Sequence, residues 1–349
     1  MKNLNQIFKF NLLALVALSV LVLSSCKKDE DNTNQPTTSS TYQGAFILNE
    51  GGFLKGNASI DFYSRGDAKL TQNLFSNINS RPLGDIFQSM YKANNNFYLI
   101  VNNSSKIEVV NAETFKSAGT ISNLGSPRFM LVPSVSNETK AYVTDLFNNV
   151  IHVINLTSHT QTKTIDLNGW SENMVEAGGN VYVNNWSNKK VYVIDPVADA
   201  VKDSVELTDY PNGIVVDANK KVWVLVDSTA TTPAKLVRIN PSTNTIEGSI
   251  DFAAGETASK LAINGAGDKL YYLNNTGVFE VAISANTLPT TAKKAGSFYG
   301  LGIDPIDGSI YLGDAIDFNQ NGTVTRIKTD GGETTFKVGI VPGGFFFNN

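Results

Sequence analysis

Polar and aromatic side chains suited to holding a ligand recur in this chain at corresponding places, in short loops that lead into apolar strands. The loops run 83–89, 125–130, 169–174, 209–214, 257–262, 297–302 and 341–346. Their glycines and prolines are shared turn chemistry. The side chains between them differ from loop to loop: Asp85 and Gln88, Arg128, Trp170 and Glu172, Tyr210 and Asn212, Lys260, then Phe298 and Tyr299. Variation on a repeated scaffold is where binding specificity is written. A second set of loops, rich in Asn and Gly, adds Phe147, Asn185, Trp186, Asp314 and Phe318. Tight hairpins call for Asn and Gly in any case, so the asparagines alone say little. Rings placed in or beside turns have no such explanation. Rings and amides together suit a large, flat, uncharged ligand bearing many amide groups, and the same set suits a sugar or a protein loop.

Catalytic constellations are absent from the sequence. There are two histidines, His152 and His159, both within one repeat, and one cysteine, Cys26. No HxH, HExxH or Cys/His spacing for a transition metal occurs, and the GxSxG, G-x-G-x-x-G and P-loop patterns are missing. Acidic pairs stand at Asp304/Asp307 and Asp314/Asp317. Asp314 and Asp317 with Asn275 are oxygen ligands of the type calcium takes, although solvated turn carboxylates are the plainer reading. The expectation is a binding protein with no catalytic residues, metal or cofactor, and a calcium-dependent hydrolase is the rival.

The elements that must position these loops are strands. Alternation such as Val181 and Val183 against Tyr182 and Asn184 puts successive side chains on opposite faces of a sheet. The same aromatic strand start returns at Tyr98, Tyr142, Tyr182, Trp223, Tyr272 and Tyr311, at intervals of about 40 to 50 residues. Each start is preceded by a short apolar strand and followed by two more, which makes four strands per module. That period and strand count describe a blade of a β-propeller, because helical repeats need amphipathic helices and the shorter-period coils do not fit.

Six full modules leave two odd ends. Residues 45–75 supply three strands with no inner strand before them, and "VGIVPGGFFFNN" closes the chain with an apolar strand that has no successors. Joined, they make a seventh blade and remove the open seam of an unclosed ring. The expected fold is therefore all-β, a seven-bladed propeller of four-stranded antiparallel blades over residues 44–349, with Tyr142, Val143, Val153, Tyr182, Val193 and Trp223 in the core between blades.

The start of the chain reads differently. Lys2 and Lys9, an apolar run of about 14 residues from Phe10 to Leu23, and "LSSC" describe a lipoprotein signal peptide over residues 1–25; the run falls short of the roughly 20 residues a membrane span needs. Cys26 becomes the lipid-bearing residue, and 26–43 form a polar tether to the membrane. With net charge −4 and no basic cluster interleaved with aromatics, nucleic acid is not an expected partner.

Motifs along the chain have a family look: "FILNEGGFLKGNASIDFY", "LGDIFQSM", "VNNSSKIEVVNAETFK", "SPRFM", "AYVTD", "VYVNNWS", "DAIDFNQNGTV" and "VGIVPGGFFF". Over residues 44–349 the chain resembles the YncE-like propeller lipoproteins and, among them, the surface-exposed cobalamin-binding proteins of the BtuG type. The "CKKDED" opening resembles the export tag of surface lipoproteins. The resemblance implies a propeller lipidated at the outer face of the outer membrane, which captures cobalamin or a related corrinoid as its ligand and hands it to a TonB-dependent outer-membrane transporter. It carries no residue-by-residue assignment of ligand contacts.

Overall fold

The computed structural model describes residues 42–349, so the expected signal peptide, Cys26 and nearly all of the tether lie outside the described residues. In the described chain the period-2 segments form strands that pair antiparallel in seven four-stranded sheets. The inner strands, in order around the ring, are Pro342–Asn348, Phe87–Ala93, Pro127–Leu131, Ser171–Ala177, Pro211–Val216, Ala258–Ile263 and Gly300–Ile303. Each touches the next, and the last touches the first. Numbered in that order, blade 1 holds both chain-distant partners: Pro342–Asn348 pairs antiparallel with Gly44–Asn49, Phe46 opposite Phe346 and Ile47 opposite Phe345.

The seam between blades 7 and 1 is held by more than this ladder. Arg65 of blade 1 donates to both carboxylate oxygens of the buried Asp304 at 2.8 and 3.0 Å. Buried Asp61 accepts from the Asn73 and Gly339 amides, so it ties blade 1 to blade 7 while burial pushes its pKa up. Tyr311 packs edge-on against Phe347, 5.3 Å between ring centroids. Closure thus removes the two strand edges that an open ring leaves for aggregation.

Between blades the core is a repeated contact. Tyr98, Tyr142, Tyr182, Tyr272 and Tyr311 are fully buried, with Trp223 alongside them. The outer hairpin turns of blades 3, 4 and 5 each put one residue into the left-handed region, His159, Asp199 and Asn244. Each of these side chains meets the aromatic residue of the preceding blade. The His159 ring stands edge-on to Tyr98 at 6.2 Å, the Tyr142 hydroxyl donates to Asp199, and the Tyr182 hydroxyl donates to Asn244 Oδ1 at 2.6 Å. Burial, with Asp199 adjacent, pushes the Tyr142 phenol far up, so it stays a donor. In the same geometry Phe115 stacks on Phe46 at 5.7 Å between blades 2 and 1.

Two features depart from the strands-only pattern. Residues Leu74–Asn79 form a short α-helix that buries Leu74 and Phe75 against the core of blades 1 and 2. Leu74 and Phe75, with Ile78 one turn on, form its apolar face, too short a pattern for periodicity to register among strands. Tyr42 also packs its ring against Phe62 and Phe115, so packing begins two residues before the first strand. The outermost strand of blade 6, faint in the sequence, is only Lys294–Ala295.

Candidate functional site

Six of the seven inner strands carry a register irregularity near their entry. Pairing skips Gly343, Gln88 and Asn212 singly, and the pairs Arg128/Phe129, Glu172/Asn173 and Lys260/Leu261 face one residue of the neighbouring strand. A bulge leaves one residue outside the ladder and re-aims its side chain. Here the bulges line the channel mouth: Gln88, Arg128, Glu172, Asn212, Lys260 and Gly343 bound a cavity of about 420 Å³. The seventh inner strand pairs without a shift and contributes Leu301.

The charges in this ring are coupled. Arg128 Nε donates to the two Glu172 carboxylate oxygens at 3.0 and 3.2 Å, and its Nη1 donates to Gln88 Oε1. Asn212 donates to Asp227 Oδ1 at 2.7 Å; burial pushes the Asp227 carboxyl up, against the pull of that hydrogen bond. Lys260 occupies a left-handed backbone position, φ 55°, which a residue with a Cβ rarely adopts. Its Nζ lies 3.3 Å from the Gly343 carbonyl and 4.9 Å above the Tyr299 ring. Tyr299 donates its hydroxyl to Glu50 Oε2 at 3.1 Å. Lys260 keeps a face open to the cavity, yet protein atoms crowd it, and this desolvation lowers its pKa against the attraction of Glu50. Desolvation raises Glu50, offset in part by Lys260, the Tyr299 hydroxyl and Arg128. Gly343 permits this approach: a Cβ there would lie 2.0 Å from Glu50 Oε1 and 2.9 Å from Tyr299.

Beside the cavity runs a ladder of rings. Phe147 meets Trp170 edge-on at 6.2 Å, Trp170 stacks on Trp186 at 5.2 Å and 17°, and Trp186 stacks on Tyr210 at 4.3 Å and 20°. Lys189 Nζ caps the far end, 4.7 Å from the Tyr210 ring, and pairs with Asp209 at 2.8 Å. These rings come from loops of blades 3, 4 and 5, and Trp186 also lines the cavity. Phe147 is 65% exposed and Trp170 38%, an uncovered apolar face at the rim. Across the mouth, Phe318 stands edge-on to Tyr299 at 5.1 Å and is 51% exposed.

Other residues singled out from the sequence do structural work. Asp85 is buried and accepts from Asn103 Nδ2 at 2.7 Å. Asn185 is fully buried, donates to Ser171 Oγ and accepts the Asn188 amide, so it organises its own turn. Phe298 packs into the wall between blades 6 and 7. Asp314 and Asp317 accept amides of their own loop, from Ile316 and from Asn319 and Gln320, whereas Asn275 accepts from Thr257 in another loop. His152 is buried against Asp145, 3.1 Å from its carboxylate.

Glu50 and Asp227 belong to the site although their types alone did not single them out. Glu50 opens the loop "EGGFLKGN", where two consecutive glycines after a carboxylate signal close backbone approach. Asp227 follows the strand Val222–Val226 at the start of a loop too long for a tight hairpin.

Fold and mouth together define a seven-bladed β-propeller whose inner-strand bulges and rim loops build one polar cavity with an aromatic wall. The chain belongs to the family described as a domain of unknown function (DUF5074), whose profile matches residues 43–330. A comparison with curated proteins finds no match. Among solved structures, the periplasmic gluconolactonase of Pseudomonas aeruginosa is similar at 11% identity and TM-score 0.66, over 87% of this chain and 99% of that one. A putative 6-phosphogluconolactonase from Bacteroides fragilis is similar at 11% and 0.64, over 89% and 99%. The Pan2 WD40 domain of Neurospora crassa is similar at 11% and 0.59, over 78% and 83%. At these identities the likeness is one of fold.

Proposed function

We propose that the chain is a non-catalytic capture protein that holds a large, flat, amide-bearing ligand at the propeller mouth. The ligand class is corrinoid, cobalamin included. The lipid on Cys26 moors the protein at the cell surface, and a TonB-dependent outer-membrane transporter receives the ligand. The observation that carries the reading is the ring ladder Phe147–Trp170–Trp186–Tyr210 standing beside a cavity edged by the amides of Gln88, Asn173 and Asn212. Rings cover apolar surface while amides pair with amides. The motif likeness to BtuG-type proteins supports the same ligand. The test is to mix the purified chain with cyanocobalamin and pass it through gel filtration: the protein peak comes out pink, and titration saturates. Colour that elutes only with free ligand defeats the reading; retention on a polysaccharide or a protein partner instead points to a glycan- or protein-binding surface.

A second reading is lactone hydrolysis. It draws on the two lactonases that share the fold and on the carboxylates of Glu50, Glu172 and Asp227 at the mouth. Turnover of a lactone panel, lost on adding a chelator, supports it over simple capture.

A further inference from the structure

Two cationic side chains, Arg128 and Lys260, line the cavity with donors to spare. Arg128 spends Nε on Glu172 and Nη1 on Gln88, and among the described residues its Nη2 has no hydrogen-bond partner. Lys260 has no carboxylate within ion-pair distance among the described residues; its one polar contact is the Gly343 carbonyl at 3.3 Å. Arg128 acts on the desolvated Lys260 as a repelling charge. A desolvated cation next to a like charge is costly unless an anion offsets it. The resident carboxylates meet this demand only in part: Glu172 is taken up by Arg128, and Glu50 reaches Lys260 through the Tyr299 ring instead of by contact.

We propose that Lys260 and Arg128 form an anion subsite in the channel mouth, which receives a carboxylate or phosphate group on an arm of the captured ligand while the flat part rests against the ring ladder. The inference deepens the capture reading and rests on it for the ligand's flat part alone. The anion takes up hydrogen bonds from Lys260 Nζ and Arg128 Nη2. The groups facing it are Glu50, Glu172, Tyr299 and Asp227.

The experiment uses the full chain, with inorganic phosphate and acetate as separate probes at constant ionic strength, read by calorimetry and by tryptophan fluorescence from Trp186 beside the cavity. Saturable binding of either probe is expected, weakened about tenfold or more in Lys260→Met, as befits one lost charge-assisted hydrogen bond. Lys260→Arg restores part of it, and Arg128→Gln weakens it similarly if Lys260→Met does not fold. Preference for phosphate or for acetate tells which arm the site takes. Binding that is absent, or unaltered in both charge-removing variants, overturns the subsite. Cyanocobalamin binding to the wild-type chain separates the two claims. If the small anions bind but cyanocobalamin does not, the subsite stands and the corrinoid reading falls; if cyanocobalamin binds equally to wild type and Lys260→Met and no anion binds, the reverse holds.

Discussion

The wall between blades and the rim of the channel use equivalent positions of one repeat in opposite ways. In the wall, Tyr98, Tyr142 and Tyr182 meet a left-handed turn residue of the next blade, and only the partner varies among His159, Asp199 and Asn244. At the rim, the bulge of the inner strand presents Gln88, Arg128, Glu172, Asn212 and Lys260, five side chains no two of which are the same residue. A contact that serves packing stays the same from blade to blade because each blade faces the same neighbour. A position that faces the open channel answers to whatever enters, and nothing in the fold makes it uniform. Two glutamates repeat the contrast. Glu108, on an outer sheet face, is gripped by Arg81 and Lys106, which hold its pKa below the usual carboxylate range despite burial. Glu50, at the rim, has the Tyr299 hydroxyl and the more distant charges of Lys260 and Arg128, and desolvation still keeps its pKa raised.

The comparison breaks most completely at the seam. Removing residues 342–349 takes away the inner strand of blade 1, so the expected outcome is loss of cooperative folding, seen as a vanished thermal transition and aggregation by light scattering. An unchanged melt shows that the ring does not depend on the shared blade. A smaller effect separates wall from rim. Tyr142→Ala costs about 3–5 kcal/mol by urea unfolding, the range for emptying a buried aromatic site. Trp186→Ala and Trp170→Ala leave that stability nearly unchanged but weaken cyanocobalamin binding by about 1–3 kcal/mol. If the tryptophan variants lose stability instead, their rings belong with the core.

The smallest effect is a pH difference between the glutamates. A raised folded-state pKa means that Glu50 favours the fold while protonated and opposes it once pH rises through that pKa. Glu50→Gln, which keeps a polar partner for Tyr299, therefore raises the melting temperature at neutral pH, and its advantage shrinks as pH falls toward the ordinary glutamate range. Glu108→Gln runs the other way: its lowered pKa contributes stability at neutral pH that is lost as pH falls, so the variant melts lower at pH 7 and converges with wild type in acid. Equal pH profiles for the two variants defeat the contrast.

How much was legible follows the same division. Strand alternation, the recurring aromatic starts and the orphan strand at the end were enough for seven blades and their closure, since both signals are local and repeat. The helix Leu74–Asn79 escaped because its apolar residues, Leu74, Phe75 and Ile78, span barely more than one turn. At the mouth, Arg128, Glu172, Asn212, Lys260 and the four ladder rings stood out by residue type in variable loops. Asp85, Asn185 and Phe298 stood out by the same criterion and turned inward. Residue type in a loop does not tell which way a side chain faces.

By itself, then, the order of residues determined the number of blades, the strands within each and the pairing of head with tail, because a two-residue period and a forty-residue period are properties of the chain read in line. Which side chains face the channel was decided only in three dimensions. One extra residue in an inner strand turns Lys260 inward, and Glu50, more than two hundred residues away, reaches it across a glycine. Their raised and lowered pKa values arise from that shared desolvation, which no distance along the chain records.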